Sequence, residues 1–125
     1  MTIAKRAELA AEKHTSGYNC CQSVVLALAD LTELSEEELL RAASGFAAGM
    51  GGMEGSCGAL VGTVLIAGLC GAGRSARKIS DLFSRKAGAL TCKTLKGKES
   101  GAPLLPCADC VRTAVIAFGE AMEME

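Results

Sequence analysis

Cysteine is the residue of this chain with the most chemistry to offer. It occurs at positions 20, 21, 57, 70, 92, 107 and 110, beside one histidine, His14. A thiolate attacks disulfides and ligates soft metals, so clustered cysteines in a reducing compartment point to redox or metal chemistry rather than to staples. Seven cysteines in 125 residues fall below the density of small secreted disulfide scaffolds, and their number is odd. The N-terminus turns charged at Lys5 and Arg6 and shows no apolar leader, which makes the cytoplasm the expected location. Cys107 and Cys110 form the one C-x-x-C, whose thiols at the start of a helix can form a disulfide or share a metal. A thioredoxin-type motif needs a βαβ setting, which the sequence does not offer. Structural zinc calls for paired knuckles or paired histidines, which are also missing. An iron–sulfur cluster, by contrast, can be held by four dispersed cysteines if the fold gathers them. Cys21 and Cys70 read as small buried hydrophobes. His14 reads as a solvent-facing helix residue rather than the base of a pair with Cys20, and Tyr18, Met50 and Met53 read as packing.

The elements that must position these thiols are helical. Half the residues are hydrophobic and 22% are charged, which excludes disorder. The aromatic residues are few (Tyr18, Phe46, Phe83 and Phe118), so the core is aliphatic and small, and a β-sandwich or barrel is disfavoured. Residues 2–15 read as an amphipathic helix. Asn19 or Ser16 caps a second helix through Leu31, and Ser35 with Glu38 is the capping box of a third. Residues 45–58 hold six glycines in fourteen positions, a costly loop that should surround something. The stretch Cys57 to Leu69 is apolar on every side and predicts a buried central helix. Gly55 to Gly73 runs 19 uncharged residues, the length of a membrane span, but six are glycine and no aromatic belt flanks them, so a buried helix is preferred. Gly58 and Gly62 let a neighbouring helix approach. A fifth helix is expected over Ser75 to Leu95, with Ile79, Leu82, Phe83 and Leu90 inward. A loop over residues 96–106 follows, then a last helix from Cys107. The expectation is one all-α domain over residues 1–125, a bundle of five or six helices around a buried apolar helix.

Three expected helix starts carry cysteine: Cys20 on the second helix, Cys57 on the central one, and Cys107 with Cys110 on the last. A helix N-terminus offers unpaired N–H groups and partial positive charge, which favour a thiolate. Cys92 is expected near the end of the fifth helix, beside the positive charges of Lys93 and Lys96. The net charge of −1 gives no drive toward nucleic acid or membrane. Between Arg74 and Lys98, eight basic residues face one acid, Asp81, which reads as a solvated helix face and loop.

Gly17-Tyr18-Asn19-Cys20-Cys21-Gln22-Ser23-Val24 resembles the G-Y-N-C-x-Q-S-V opening of a family of small bacterial and archaeal proteins labelled C_GCAxxG_C_C and described as redox-active. Its second signature is similar to Phe46 through Gly62, centred on Gly55-Ser56-Cys57-Gly58-Ala59-Leu60-Val61-Gly62. Its third cysteine corresponds to Cys92 in Cys92-Lys93-Thr94-Leu95-Lys96-Gly97. The fourth fits Cys107, with Val111 and Ala114, better than Cys110. Ser56-Cys57-Gly58-Ala59 departs from a literal Gly-Cys-Ala, and Cys21, Cys70 and Cys110 are extra, which leaves a second dithiol open. The resemblance implies an all-helical redox protein whose cysteines act together. The expected site is therefore Cys20, Cys57, Cys92 and Cys107, with Cys110 beside them. It would work either by dithiol–disulfide exchange, with Cys57 attacking, or by ligating an iron–sulfur cluster or another thiophilic metal through the first four. The partner would be a redox protein or a small thiol, and a homodimer fits the small-residue helices. The competing reading is a non-catalytic helical dimerisation module whose basic face binds an acidic partner.

Overall fold

Side-chain caps start the first three α-helices of the chain. The computed structural model describes residues 1–97 and 101–125, so Lys98, counted above in the basic stretch and in the loop before the last helix, lies outside the described residues. Helix α1 (Ile3–Thr15) starts where Thr2 accepts a hydrogen bond from the Lys5 N–H. Helix α2 (Cys20–Ala27) starts at a reciprocal capping box: Asn19 Oδ1 accepts from the Gln22 N–H at 2.8 Å, and Gln22 Oε1 accepts from the Asn19 N–H at 3.2 Å. Ser16 instead closes the end of α1. Helix α3 (Glu36–Ala43) begins at the Ser35–Glu38 box, as its sequence requires. The remaining helices are α4 (Gly58–Leu69), α5 (Ala76–Ala87), α6 (Cys92–Leu95) and α7 (Cys107–Ala121). Among the described residues there is no strand, only an isolated antiparallel bridge between Ser56 and Thr91.

The structure is all-α, as composition and periodicity require, but two expected helices are interrupted: the second gives way after Ala27 to a 3₁₀ turn over Ala29–Leu31, and the fifth is broken before Cys92. The helix predicted from Ser75 to Leu95 is two. Gly88, at φ +95°, ends α5 in the left-handed conformation, which glycine adopts without a Cβ penalty. Thr91 then caps α6, accepting from the Thr94 N–H. Leu90, expected inward, falls between them and is 37% exposed. Ile79 and Phe83 of α5 are buried as expected. Arg74, Arg77, Lys78 and Arg85 are exposed, the solvated face that the basic stretch implied.

Helix α4 packs against α2, α5 and α7, and it is the apolar interior helix of the bundle as far as Ala67. Its last turn surfaces: Leu69 is 42% exposed, and Cys70 is exposed, its thiol donating to the Leu31 carbonyl at 3.4 Å. Cys70 is therefore not the buried packing residue expected, because the chain leaves the core one turn earlier than the run of apolar residues suggests. Among the described residues no helix is long and apolar enough to cross a membrane. Helices α1 and α7 pack along each other and are tied by Arg112 Nε to Glu8 Oε2 at 2.7 Å and by the Ile3 N–H to the Glu125 carbonyl at 2.7 Å. Arg6, only 4% exposed, forms a fork–fork pair with Asp30 at 2.6 and 3.0 Å and donates to the Ala27 carbonyl, joining α1 to the end of α2.

The α2–α4 contact rests on missing side chains. A Cβ on Gly62 would lie 3.0 Å from the Cys21 carbonyl oxygen and 3.3 Å from Val24, whereas one on Gly68 of the same helix would meet nothing within 4 Å. The two positions should respond with opposite sign. Gly62→Ala is expected to destabilise the fold by about 1–3 kcal/mol, through overpacking against backbone. Gly68→Ala should stabilise it by roughly 0.5–1 kcal/mol, through helix propensity. Urea unfolding of the two variants checks both signs.

Candidate thiol site

Four helices begin at one place. Cys20 is the first residue of α2, Cys57 is the N-cap of α4, and Cys92 and Cys107 are the first residues of α6 and α7. Their side chains, with Cys110 one turn into α7, line a single small cavity of about 10 Å³, completed by Gly58, Leu95 and Lys96. Cys57, Cys92 and Cys110 are buried, Cys20 and Cys107 are half-buried, and Lys96 reaches solvent. Gly58 is part of this construction: a Cβ there would stand 2.5 Å from the Cys20 sulfur.

The glycine-rich segment surrounds the site and binds two of its helix starts together. It makes a wide helical turn over Gly49–Met53, with Ala48, Met50 and Met53 at φ +53°, +68° and +65°, a conformation costly for side-chain-bearing residues. Gly49 lies against the Cys92 side chain, where a Cβ would stand 2.9 Å from that of Cys92. The Gly55 carbonyl accepts from the Cys92 N–H at 3.0 Å, and the Cys57 N–H donates to the Leu90 carbonyl at 2.8 Å. This stitching sets the start of α4 beside the start of α6. The loop amide that reaches a thiol is that of Ala48, and it serves Cys20, whereas Cys57 receives the amides of Ala59 and Leu60 from its own helix. Met50, read from the sequence as packing, is instead 63% exposed.

The thiols differ sharply in proton affinity. Cys57 is lowered to about 7 by its interaction with the facing Cys110 thiol, helped by the Ala59 and Leu60 amides and by the charge of Lys96, against the opposing effect of burial. Cys110 is held in the protonated form by the same contact, by burial and by the negative charge of Cys57. Burial raises Cys20, as does the charge of Cys57, and the Ala48 and Cys21 amides only partly offset the rise. Burial also raises Cys92, opposed by Lys96. Lys96 is held above the usual lysine range: its partial burial opposes this, but the neighbouring Cys107, Cys92 and Cys20 favour the charged amine. One negative charge therefore settles on Cys57.

All five cysteines singled out in the sequence meet at this cavity. The other two do not. Cys21 is fully buried in the core and pushed up to about 12 by burial, a packing residue as expected, and Cys70 lies on the surface. His14 is half-buried and bonds through Nδ1 to the Tyr18 carbonyl at 3.1 Å, closing the turn between α1 and α2 rather than activating Cys20. Sequence reasoning missed three features: that Cys92 opens a helix, that Cys110 faces Cys57, and that Lys96 lies beside Cys107. Gly88 followed by Thr91 and Thr94 was the available signal for the first. The other two depend on how α7 meets α4 and α6, which no local pattern records.

Five thiols are a donor set that a soft metal accepts. Among the described residues, however, no three cysteine, histidine or acidic side chains form a group that could hold a metal ion. The cavity of about 10 Å³ has room for about one water molecule. In this arrangement the thiols do not fit the outline of a multi-iron cluster.

Fold and site together define an all-α protein with a closed cysteine pocket at converging helix starts. Residues 18–121 match the family described as "Putative redox-active protein (C_GCAxxG_C_C)", and the chain belongs to that family. No curated protein and no solved structure matches the chain.

Because the Cys57 thiol is lowered, its thiolate should be lost as pH falls through about 7 and be fully formed above that. Thiolate ultraviolet absorbance, compared between the protein and its Cys57→Ser variant, is expected to show this midpoint. Cys110→Ala should move it upward toward the free-thiol value of about 8.5. A Cys57 midpoint that Cys110→Ala leaves in place would show that the facing thiol does not set it.

Proposed function

We propose that this chain is a thiol–disulfide exchange protein whose attacking group inside the pocket is the Cys57 thiolate. The observation that carries the reading is the contact of Cys57, at the N-terminus of the interior helix, with Cys110, inside a cavity lined by three further thiols. A thiolate facing a protonated thiol is the reduced form of an exchange pair. The bridge forms when the Cys57 thiolate attacks a neighbouring sulfur that the external disulfide has already oxidised, and the displaced thiolate leaves. Two pocket thiols are oxidised to a bridge while the disulfide of a redox partner protein or a small thiol compound is reduced to two thiols. Leu95, Gly58 and the buried α4 keep water from the thiolate, and the half-buried Cys20 and Cys107 form the side of the pocket nearest solvent. The competing use of these thiols is ligation of a soft metal, and the test separates the two.

Reduced, metal-free protein is placed in glutathione redox buffers of graded ratio, with Cys70→Ser as the background so that the exposed thiol does not contribute. Reversible loss of a pair of pocket thiols is expected, ending in a Cys57–Cys110 bridge that Cys57→Ser should remove. Bound iron and sulfide in anaerobically purified protein, with pocket thiols inert to glutathione, would overturn the reading in favour of a metal centre.

A further inference from the structure

The pocket holds more thiols than one exchange pair needs, and they are graded by depth. On α7, Cys107 is half-buried and Cys110, three residues on, is buried. The Lys96 ammonium lies beside Cys107, and the Cys57 sulfur lies against Cys110. Cys110 thus has a cysteine neighbour on each side of it, Cys107 along its own helix and Cys57 across the cavity. Cys57, only 6% exposed, is poorly placed to meet a substrate directly.

We propose that the site is a two-stage relay in which Cys107, next to Lys96, exchanges with the external disulfide and Cys110 is the pivot that passes the oxidation inward to Cys57. The relay rests on the exchange reading above and adds the order of events and the class of substrate. Cys107 attacks one sulfur of an external disulfide, passing its proton to the first external thiolate as that leaves, and a mixed disulfide forms. Cys110 attacks the Cys107 sulfur, the Cys107–Cys110 bond forms, and the second external thiolate leaves with the Cys110 proton. Cys57 thiolate then attacks the Cys110 sulfur. The Cys57–Cys110 bond forms, the Cys107–Cys110 bond breaks, and the electron pair returns to Cys107, where Lys96 offsets the negative charge. In sum, two protein thiols become one buried bridge and one external disulfide becomes two thiols, so electrons balance with no other reactant. The outer thiol ends reduced and ready, while the oxidation is stored where solvent does not reach. Lys96, the one cation lining the cavity among the described residues, favours an anionic disulfide, such as one flanked by carboxylates.

Oxidised glutathione, which carries such carboxylates, is the probe. Reduced Cys70→Ser protein is mixed with it, quenched in acid at successive times, and its bridges mapped by mass spectrometry. The expected order is a glutathione adduct on Cys107, then a Cys107–Cys110 bridge, then Cys57–Cys110. Cys57→Ser should stop at Cys107–Cys110, and Cys110→Ser should accumulate the Cys107 adduct. Lys96→Gln should slow adduct formation about tenfold, with Lys96→Arg restoring most of the rate. Helical circular dichroism of each variant, matched to the parent, confirms that the fold is intact. A first adduct on Cys20 or Cys57, or a final bridge without Cys110, overturns the relay while leaving thiol exchange standing. If no reversible bridge forms in any variant, both the relay and the exchange reading fall.

Discussion

The close approach of α2 to α4 is the constraint on which the site depends. Gly58 and Gly62 present no side chains toward α2, so the Cys21 backbone and the Cys20 sulfur come directly against the interior helix. Glycine in a helix costs propensity, and the cost is offset by burial of Val24, Val25, Leu60 and Ile66 around the same contact. Were the helices held apart by even one methyl group, Cys20 would be displaced from Cys57 and the cavity would open. A structural economy of small side chains thus becomes a chemical feature, because it lets a thiol on one helix reach the start of another.

Convergence of helix starts has an electrostatic consequence. The first-turn amides of α2 and α4 turn toward this small volume, that of Cys21 to the Cys20 sulfur and those of Ala59 and Leu60 to the Cys57 sulfur, which favours an anion within it. Burial works against each additional charge, and in so small a cavity a second thiolate repels the first. The outcome is the pattern seen: Cys57 is lowered, while Cys20, Cys92 and Cys110 are raised. A pocket that tolerates one mobile negative charge among several sulfurs is suited to exchange, in which a single thiolate is consumed and a single thiolate is released.

The strained turn over Gly49–Met53 serves the same end. Three side-chain-bearing residues at positive φ are an unusual expense in a loop. Their conformation lets Gly49 lie against Cys92, Gly55 hold the Cys92 amide, and the Ala48 amide reach Cys20. The segment therefore fastens α6, a helix of four residues too short to hold its own position, to the start of α4. Without that fastening, neither Cys92 nor Lys96 would have a fixed place at the cavity.

The amino-acid sequence by itself determined the all-α class, the caps at Asn19 and Ser35, the apolar interior helix after Cys57 and the placement of Cys20, Cys57 and Cys107 at helix starts. These are local matters: a capping box, a hydrophobic period or a proline before a helix acts over a few residues, so it can be read from a few residues. Gly88 was equally local, and it was overlooked because the apolar period runs on past it. Tertiary structure alone decided which sulfur faces which. Cys110 meets Cys57 because α7 crosses the start of α4, Lys96 meets Cys107 because α6 ends beside the start of α7, and Cys70 reaches the surface because α4 leaves the core before its apolar run is finished. Each of these contacts joins residues far apart along the chain. Their geometry follows from how whole helices pack, and the types and spacings of neighbouring residues carry no record of it.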